Sequence, residues 1–274
     1  VHSVLPTALT TAVGEVLDAA GVPHVAHGRT PPVEAAVAAA RDEDALALIG
    51  PYRSADVAEA LEATAPAGLP LLAPVATWAG VTRDDEPGCD DAARHRGTVL
   101  RLLARDTVVA QRIAAVVRDA GQRALVVAGV HDYGVQLDGQ LRMAGLPRTE
   151  EVVEADVVVL AGLVGAPEIE WAKALAPLPV VAFDGVQGAD LGAGRDVRLA
   201  LPCAEGEDLA GVVAARRAAA LVAEALRGGA ADRATLLGAL RSLGPFDEHG
   251  DPVDPAVWLW RAGADWTLTA ERAI

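Results

Sequence analysis

The sequence predicts an α/β protein of two similar lobes, each a parallel sheet covered on both faces by helices. Three observations carry that expectation. Short, continuous apolar runs alternate with longer helical stretches along the whole chain, the pattern of strands buried on both faces. The alternation restarts near Thr98, after an irregular acidic stretch at 83–96 that reads as a loop, so the pattern falls into two lobes rather than one very wide sheet. The 274 residues are 52 % hydrophobic and 22 % charged, which is ample for one large core or two smaller ones.

The elements follow in order. Residues 3–5 form a short apolar run, and 7–20 a helix stopped by Gly21. A strand at 22–26 leads to an Ala-rich helix at 31–40, opened by Thr30-Pro31-Pro32. A strand at 45–49 is followed by a helix at 54–63 with Ser54 at its N-cap, and 69–73 is the next strand. The second series opens with a strand at 98–102 and an amphipathic helix at 107–120. Strands are expected at 124–130, 151–153, 157–160, 180–183 and 197–201, with helices at 135–143 and 168–175. Helices at 209–226 and 233–243 and a strand at 257–260 close the series, with Trp266 beyond a turn at Gly263.

Composition excludes several classes of function. Against 38 Asp and Glu stand 23 Lys and Arg, a formal charge of −15 with one lysine, Lys173, so a nucleic-acid partner is not expected. The longest uncharged stretch, 63–82, contains Pro66, Pro70 and Pro74, and its apolar runs are too short to span a bilayer. No basic-then-apolar leader opens the sequence at Val1, which fits either a cytoplasmic chain or one whose leader has been removed. Cys89 and Cys203 are the only cysteines: they read as two unrelated thiols or as one disulfide, the latter implying an oxidising compartment.

No enzyme is expected. The chain has no G-x-x-x-x-G-K-[ST] loop, G-x-S-x-G elbow or H-E-x-x-H pair, and Leu5-Pro6-Thr7 offers no dinucleotide-binding glycines after the first strand. His24 and His27 are close but lack a third ligand nearby, so neither metal nor other cofactor is expected.

Ligands of open parallel sheets bind beyond the carboxyl ends of the strands. Four such ends carry polar or aromatic groups. In Ile49-Gly50-Pro51-Tyr52-Arg53-Ser54, free N–H groups at a helix start and the Ser54 hydroxyl suit a carboxylate, although the same residues also make a plain N-cap. In Ala76-Thr77-Trp78, Thr77 offers a hydroxyl and Trp78 an aromatic wall, or the three form an ordinary turn. Tyr133 lies on the loop His131-Asp132-Tyr133-Gly134, where an aromatic either packs or binds. Asp184, in Phe183-Asp184-Gly185, is a carboxylate directly after a buried strand, or the cap of the next turn.

The run Ala47-Leu48-Ile49-Gly50-Pro51-Tyr52-Arg53-Ser54, followed by Gly68-Leu69-Pro70-Leu71-Leu72-Ala73-Pro74-Val75-Ala76-Thr77, resembles the type I periplasmic binding proteins, in particular the leucine/isoleucine/valine-binding family of ABC transporters. Val99-Leu100-Arg101 resembles a crossing between lobes in that family, and Asp132-Tyr133-Gly134 and Asp184-Gly185 resemble its post-strand loops. Phe246-Asp247 through Gly250 and the segment 257–266 are similar to its final hairpin. The opening segment and the stretch near Pro202 to Glu207 are shorter than the family pattern.

The resemblance implies two Rossmann-like lobes, 1–100 with 202–250 and 101–201 with 251–274, joined by a three-segment hinge. It implies a small amphipathic solute held between them, an amino acid in first place, for delivery to the membrane permease of an ABC transporter. The chain would work outside the cell or in the periplasm, anchored by lipid if its leader carries a cysteine. The implied ligand contacts are Tyr52, Arg53, Ser54, Ala76, Thr77, Trp78, Tyr133 and Asp184: the solute's carboxylate on Ser54 and nearby N–H groups, its ammonium near Thr77 and Asp184, and Tyr133 from the opposite lobe. With Cys89 and Cys203 then both on the first lobe near the hinge, they could meet. The alternative is a cytoplasmic effector-binding or sensor domain using the same lobes.

Overall fold

The computed structural model describes residues 1–28, 30–83, 97–192, 194–202, 211–263 and 267–274. Cys89, Cys203 and Trp266 lie outside the described residues, and with them the expected meeting of the cysteines. The chain divides into two compact units: Val1–Arg105 with Glu207–Pro255, and Asp106–Gly206 with Ala256–Ile274.

Unit 1 begins with β1 (His2–Ser3), α1 (Thr7–Ala19), β2 (Val25–Ala26), α2 (Pro32–Arg41), β3 (Leu48–Ile49), α3 (Ser54–Thr64), β4 (Leu71–Ala73) and β5 (Val99–Arg101). Unit 2 follows with α4 (Asp106–Asp119), β6 (Ala124–Ala128), α5 (Asp132–Met143), β7 (Val157–Ala161), α6 (Pro167–Ala174), β8 (Val180–Ala182) and β9 (Val197–Leu201). The chain returns to unit 1 for α7 (Val212–Arg227) and α8 (Arg233–Leu243), then to unit 2 for β10 (Trp258–Ala262) and β11 (Leu268–Ala273). Among the described residues, no helix is long and apolar enough to cross a membrane.

The sheet of unit 1 has the order β2-β1-β3-β4-β5, every pair parallel. Successive side chains of a strand point to opposite faces, so a sheet buried on both needs unbroken apolar runs. Ala47, Ile49, Leu72 and Leu100 pack with Leu9, Val13 and Leu17 of α1 and with Ala215, Ala218 and Val222 of α7. On the other face Leu48, Leu71, Ala73 and Val99 meet Ala35, Ala36 and Ala39 of α2 and Val57, Ala60 and Leu61 of α3. Two anchors fix α8. Asp232 caps it by accepting from the Thr235 N–H at 2.7 Å, and the Arg233 guanidinium donates to the carbonyls of Asp42, Ala45 and Ala67.

The sheet of unit 2 has the order β11-β10-β9-β8-β7-β6. It is mixed rather than wholly parallel. β6 to β9 pair in parallel, whereas β9, β10 and β11 pair antiparallel. For β10 and β11 the reason is their short connection, which leaves room for a hairpin and not for a crossover helix. All five residues of β7, between β6 and β8, are buried. The strand expected at 151–153 is instead a 3₁₀ turn at Val152–Glu154, with Val153 92 % exposed. Arg148 takes the bridge to Ala124 instead, and Thr149 folds the next residues back by accepting from the Glu151 N–H at 3.1 Å and donating to Glu154 Oε2 at 2.9 Å.

Candidate functional site

In unit 1 the polar loops leave the carboxyl ends of β3 and β4. Gly50 makes the first of them possible: its φ is +98°, and a Cβ there would lie 2.4 Å from the Val4 carbonyl oxygen. Past Pro51, Tyr52 and Arg53 are exposed. Arg53, extended at ψ 140°, holds the N-cap position expected of Ser54, and Ser54 is the first residue of α3. Its role as a cap is therefore corrected: the Ser54 hydroxyl turns to a neighbouring loop and accepts from the Trp78 N–H at 3.3 Å. Accepting that bond leaves the hydroxyl its own proton to donate. Ala76 and Thr77 are buried, and Trp78 is half-buried. Gly80 admits the indole, since a Cβ at 80 would lie 2.3 Å from Trp78 Cζ2.

Below the 76–78 segment lies a charged cluster that no strand-end argument identifies. Arg101, the last residue of β5, is fully buried and donates to the carbonyls of Ala76 (2.7 Å) and Trp78 (2.9 Å), to the Thr82 hydroxyl (2.8 Å) and to Asp251 (2.9 Å). Asp251, also buried, receives the Thr82 hydroxyl at 2.7 Å, Arg105 at 2.7 Å and Arg83 at 3.0 Å. Burial alone would raise the Asp251 carboxyl. The Arg101 charge, the Thr82 hydroxyl and Arg105 outweigh it and hold the group well below the usual carboxylate range.

In unit 2 the ends of β6, β7 and β8 converge. The Tyr133 hydroxyl donates to Asp184 Oδ1 at 3.3 Å, joining two of the expected contacts. Burial pushes the Asp184 carboxyl up from its ordinary 3.8, against the Tyr133 hydroxyl and the Gly185 N–H, which favour the anion. Beside them, His131 Nδ1 accepts from the Gly134 N–H at 3.2 Å and so caps α5. Its Nε2 then carries the proton of the neutral ring and donates to Glu168 Oε1 at 2.9 Å. Glu168 is buried, which raises its carboxyl. Its own backbone N–H, His131 and the Leu163 N–H together outweigh that and hold it below 4.5. Three glycines give these groups room: a Cβ at Gly129 or Gly162 would lie within 2.6 Å of Glu168 Oε1, and one at Gly134 would strike the backbone of Gly129.

His27 meets not His24 but His2, at 2.9 Å between ring nitrogens, and His2 in turn reaches Asp42 at 3.0 Å. Among the described residues, no group of three or more His, Cys, Asp or Glu could hold a metal ion.

No protein-family model and no curated protein matches the sequence. Solved structures do. An ABC transporter substrate-binding protein from Desulfitobacterium hafniense, in complex with Leu, superposes with a TM-score of 0.76 at 20 % identity, over 99 % of this chain and 99 % of that one. The chain has the fold of ABC transporter substrate-binding proteins. A leucine-binding protein from Thermotoga maritima shares this substrate-binding fold with a TM-score of 0.74 at 16 % identity, covering 100 % of this chain and 97 % of its own. A solute-binding protein from R. palustris, in complex with benzoate, does so with a TM-score of 0.69 at 15 % identity over 100 % and 98 %. Within the substrate-binding fold, Ser54 with Trp78 and Tyr133 with Asp184 are the expected contacts that the structure brings together within each unit. Arg101, Asp251 and Glu168 are the polar groups behind them that sequence reasoning missed. The one signal was Arg101, a charge set inside the apolar run Val99-Leu100-Arg101-Leu102-Leu103.

Proposed function

We propose that this chain is a solute-binding protein that captures a small carboxylate-bearing metabolite, an amino acid in first place, and delivers it to the membrane permease of an ABC transporter. The observation that carries the reading is the whole-chain superposition on a substrate-binding protein holding Leu. Leu and benzoate, the ligands of two such neighbours, share a carboxylate on an apolar body. The strand ends suit that chemistry. The Ser54 hydroxyl and the unpaired N–H groups of the first turn of α3 would receive the carboxylate. Asp184, held in place by Tyr133, would receive the ammonium, and Tyr52, Arg53, Ala76, Thr77 and Trp78 would line the approach to Ser54. The reading is of binding without turnover, in the periplasm or outside the cell.

A thermal-shift panel of leucine, isoleucine, valine and benzoate tests it. A ligand at about 100 times its dissociation constant adds roughly 2.7 kcal/mol to the stability of the state that binds it. Leucine, isoleucine or valine should raise the melting temperature, with a saturable isotherm by calorimetry and no chemical change in the recovered ligand. A flat response to all four, together with no small molecule retained in native mass spectrometry, would refute the reading.

A further inference from the structure

The segment 76–78 follows β4 outside the sheet ladder, and its two outer carbonyls are held by one side chain. Arg101 Nη1 takes the Ala76 carbonyl at 2.7 Å and Nη2 the Trp78 carbonyl at 2.9 Å, so its two arms bracket Thr77. The guanidinium is oriented in turn from the other side. Its Nε donates to Asp251, and the Arg101 backbone N–H donates to the Gly250 carbonyl at 2.8 Å. That approach requires glycine: Gly250 has φ +88°, and a Cβ would lie 2.1 Å from the Val99 carbonyl oxygen. Thr82 closes the ring, accepting from Arg101 and donating to Asp251.

A fully buried arginine is an expensive way to fill a core, since an apolar side chain of similar volume avoids the desolvation of the ion. What it adds is a rigid planar fork whose donors fix the spacing and direction of the groups that they bind. Here those groups are the backbone on either side of Thr77. The same segment presents the Trp78 N–H that holds the Ser54 hydroxyl.

We infer that Arg101, oriented by Asp251, is a positioning residue of the solute site: it sets the 76–78 segment, and through it Ser54, in the arrangement that receives the ligand. Setting the segment is independent of the ligand's identity. Only its effect on affinity rests on the function proposed above.

Trp78 reports directly on the segment, because the other described tryptophans, at 171, 258 and 260, belong to unit 2. The full chain is labelled with 5-fluorotryptophan, and the Trp78 resonance is assigned with Trp78→Phe. In Arg101→Lys, which keeps the charge and loses the fork, the Trp78 resonance should shift or broaden without ligand. Trp171 should stay in place, and leucine affinity should fall tenfold or more. Thr82→Val removes a single member of the ring and answers the same question should Arg101→Lys fail to fold, with a smaller change in the same direction. A folded variant with the parent's Trp78 resonance overturns the inference, as does one whose resonance moves while leucine affinity is unchanged. If the parent itself binds none of the panel, the proposed function fails. A displaced Trp78 resonance would still support the positioning by Arg101.

Discussion

The phenolic hydroxyl of Tyr133 donates to Asp184 Oδ1 at 3.3 Å, so a residue following β6 reaches one following β8 across the end of β7. The pair holds a carboxyl that burial has pushed upward next to a donor that stabilises its anion. On the proposed function, an ammonium arriving there would favour the ionised form of Asp184.

Asp184→Ala should therefore weaken leucine binding by about 10- to 150-fold, the equivalent of roughly 1.5–3 kcal/mol for a charge-assisted hydrogen bond. Asp184→Asn, nearly isosteric, should cost an ammonium ligand nearly as much and leave benzoate untouched. The free protein has an aspartate raised above 3.8, which disfavours its anion relative to the unfolded chain. Asp184→Asn removes that cost, so the unliganded variant should be at least as stable as the parent in urea. Parent-like leucine affinity in both variants would make Asp184 a turn residue only.

The same raised acid makes binding depend on pH. An ammonium ligand selects the ionised form, so affinity should fall as pH drops through the free Asp184 pKa, and proton release should accompany binding there. Tyr133→Phe removes the hydroxyl that lowers this pKa. The affinity loss should move to higher pH, with a further weakening of about 2- to 13-fold at neutral pH for a lost bond of roughly 0.5–1.5 kcal/mol. Calorimetry in two buffers of different ionisation enthalpy reads both effects.

Removing Asp251 should be far more damaging than removing an exposed partner. Asp251→Ala removes the carboxylate that faces the buried Arg101 charge, a loss of about 3–5 kcal/mol in urea denaturation. For stability the pH dependence has the opposite sign to that of Asp184, whose raised pKa costs the free protein stability as pH rises. Because the folded pKa of Asp251 is depressed below 3.8, its contribution is complete above pH 3.8 and drains away as pH falls below that value. The parent should lose stability steeply in that acid range, and Asp251→Asn should flatten the limb. Matching acid limbs in parent and variant would assign acid unfolding to other groups.

Two glycines with positive φ separate backbone preference from steric contact. Gly68 has φ +63° and open space around its missing Cβ, so Gly68→Ala should cost only the left-handed conformation, roughly 1–2 kcal/mol. Gly50 adds a backbone oxygen at 2.4 Å. Gly50→Ala should cost clearly more and should also disturb ligand binding, because the loop to Ser54 starts there. Equal melting temperatures for the two variants would contradict this.

The alternation of strand and helix is legible because burial on both faces demands unbroken apolar runs such as Val157-Val158-Val159-Leu160. It misleads at Glu151-Val152-Val153, where two valines suggest a strand but none of the described strands pairs with them, and Thr149 folds the chain back instead. Loops after strands can be found by reading along the chain, which is why Tyr133 and Asp184 are accessible to sequence reasoning. Their contact is not, since it depends on the strand order β6-β7-β8. Arg101 and Asp251 are harder still. They stand 150 positions apart, and what joins them is a glycine carbonyl laid against β5, a relation with no local signature. Ser54 shows the limit on finer scale: its residue type suits an N-cap, but a loop from β4 competes for its hydroxyl and wins.

The return of the chain to unit 1 has a consequence for biosynthesis. The five strands of its sheet and α1 leave the ribosome first, with Leu9, Val13 and Leu17 facing a partner, α7, that has not yet been made. All of Asp106–Gly206 must be translated before α7 arrives, a wait on the order of 10 s at ordinary elongation rates. During that interval the nascent chain carries an uncovered apolar face on a sheet that cannot yet close. Its exposure to chaperones and proteases is therefore set by the speed of translation through the second unit, and codon choice there becomes a determinant of yield.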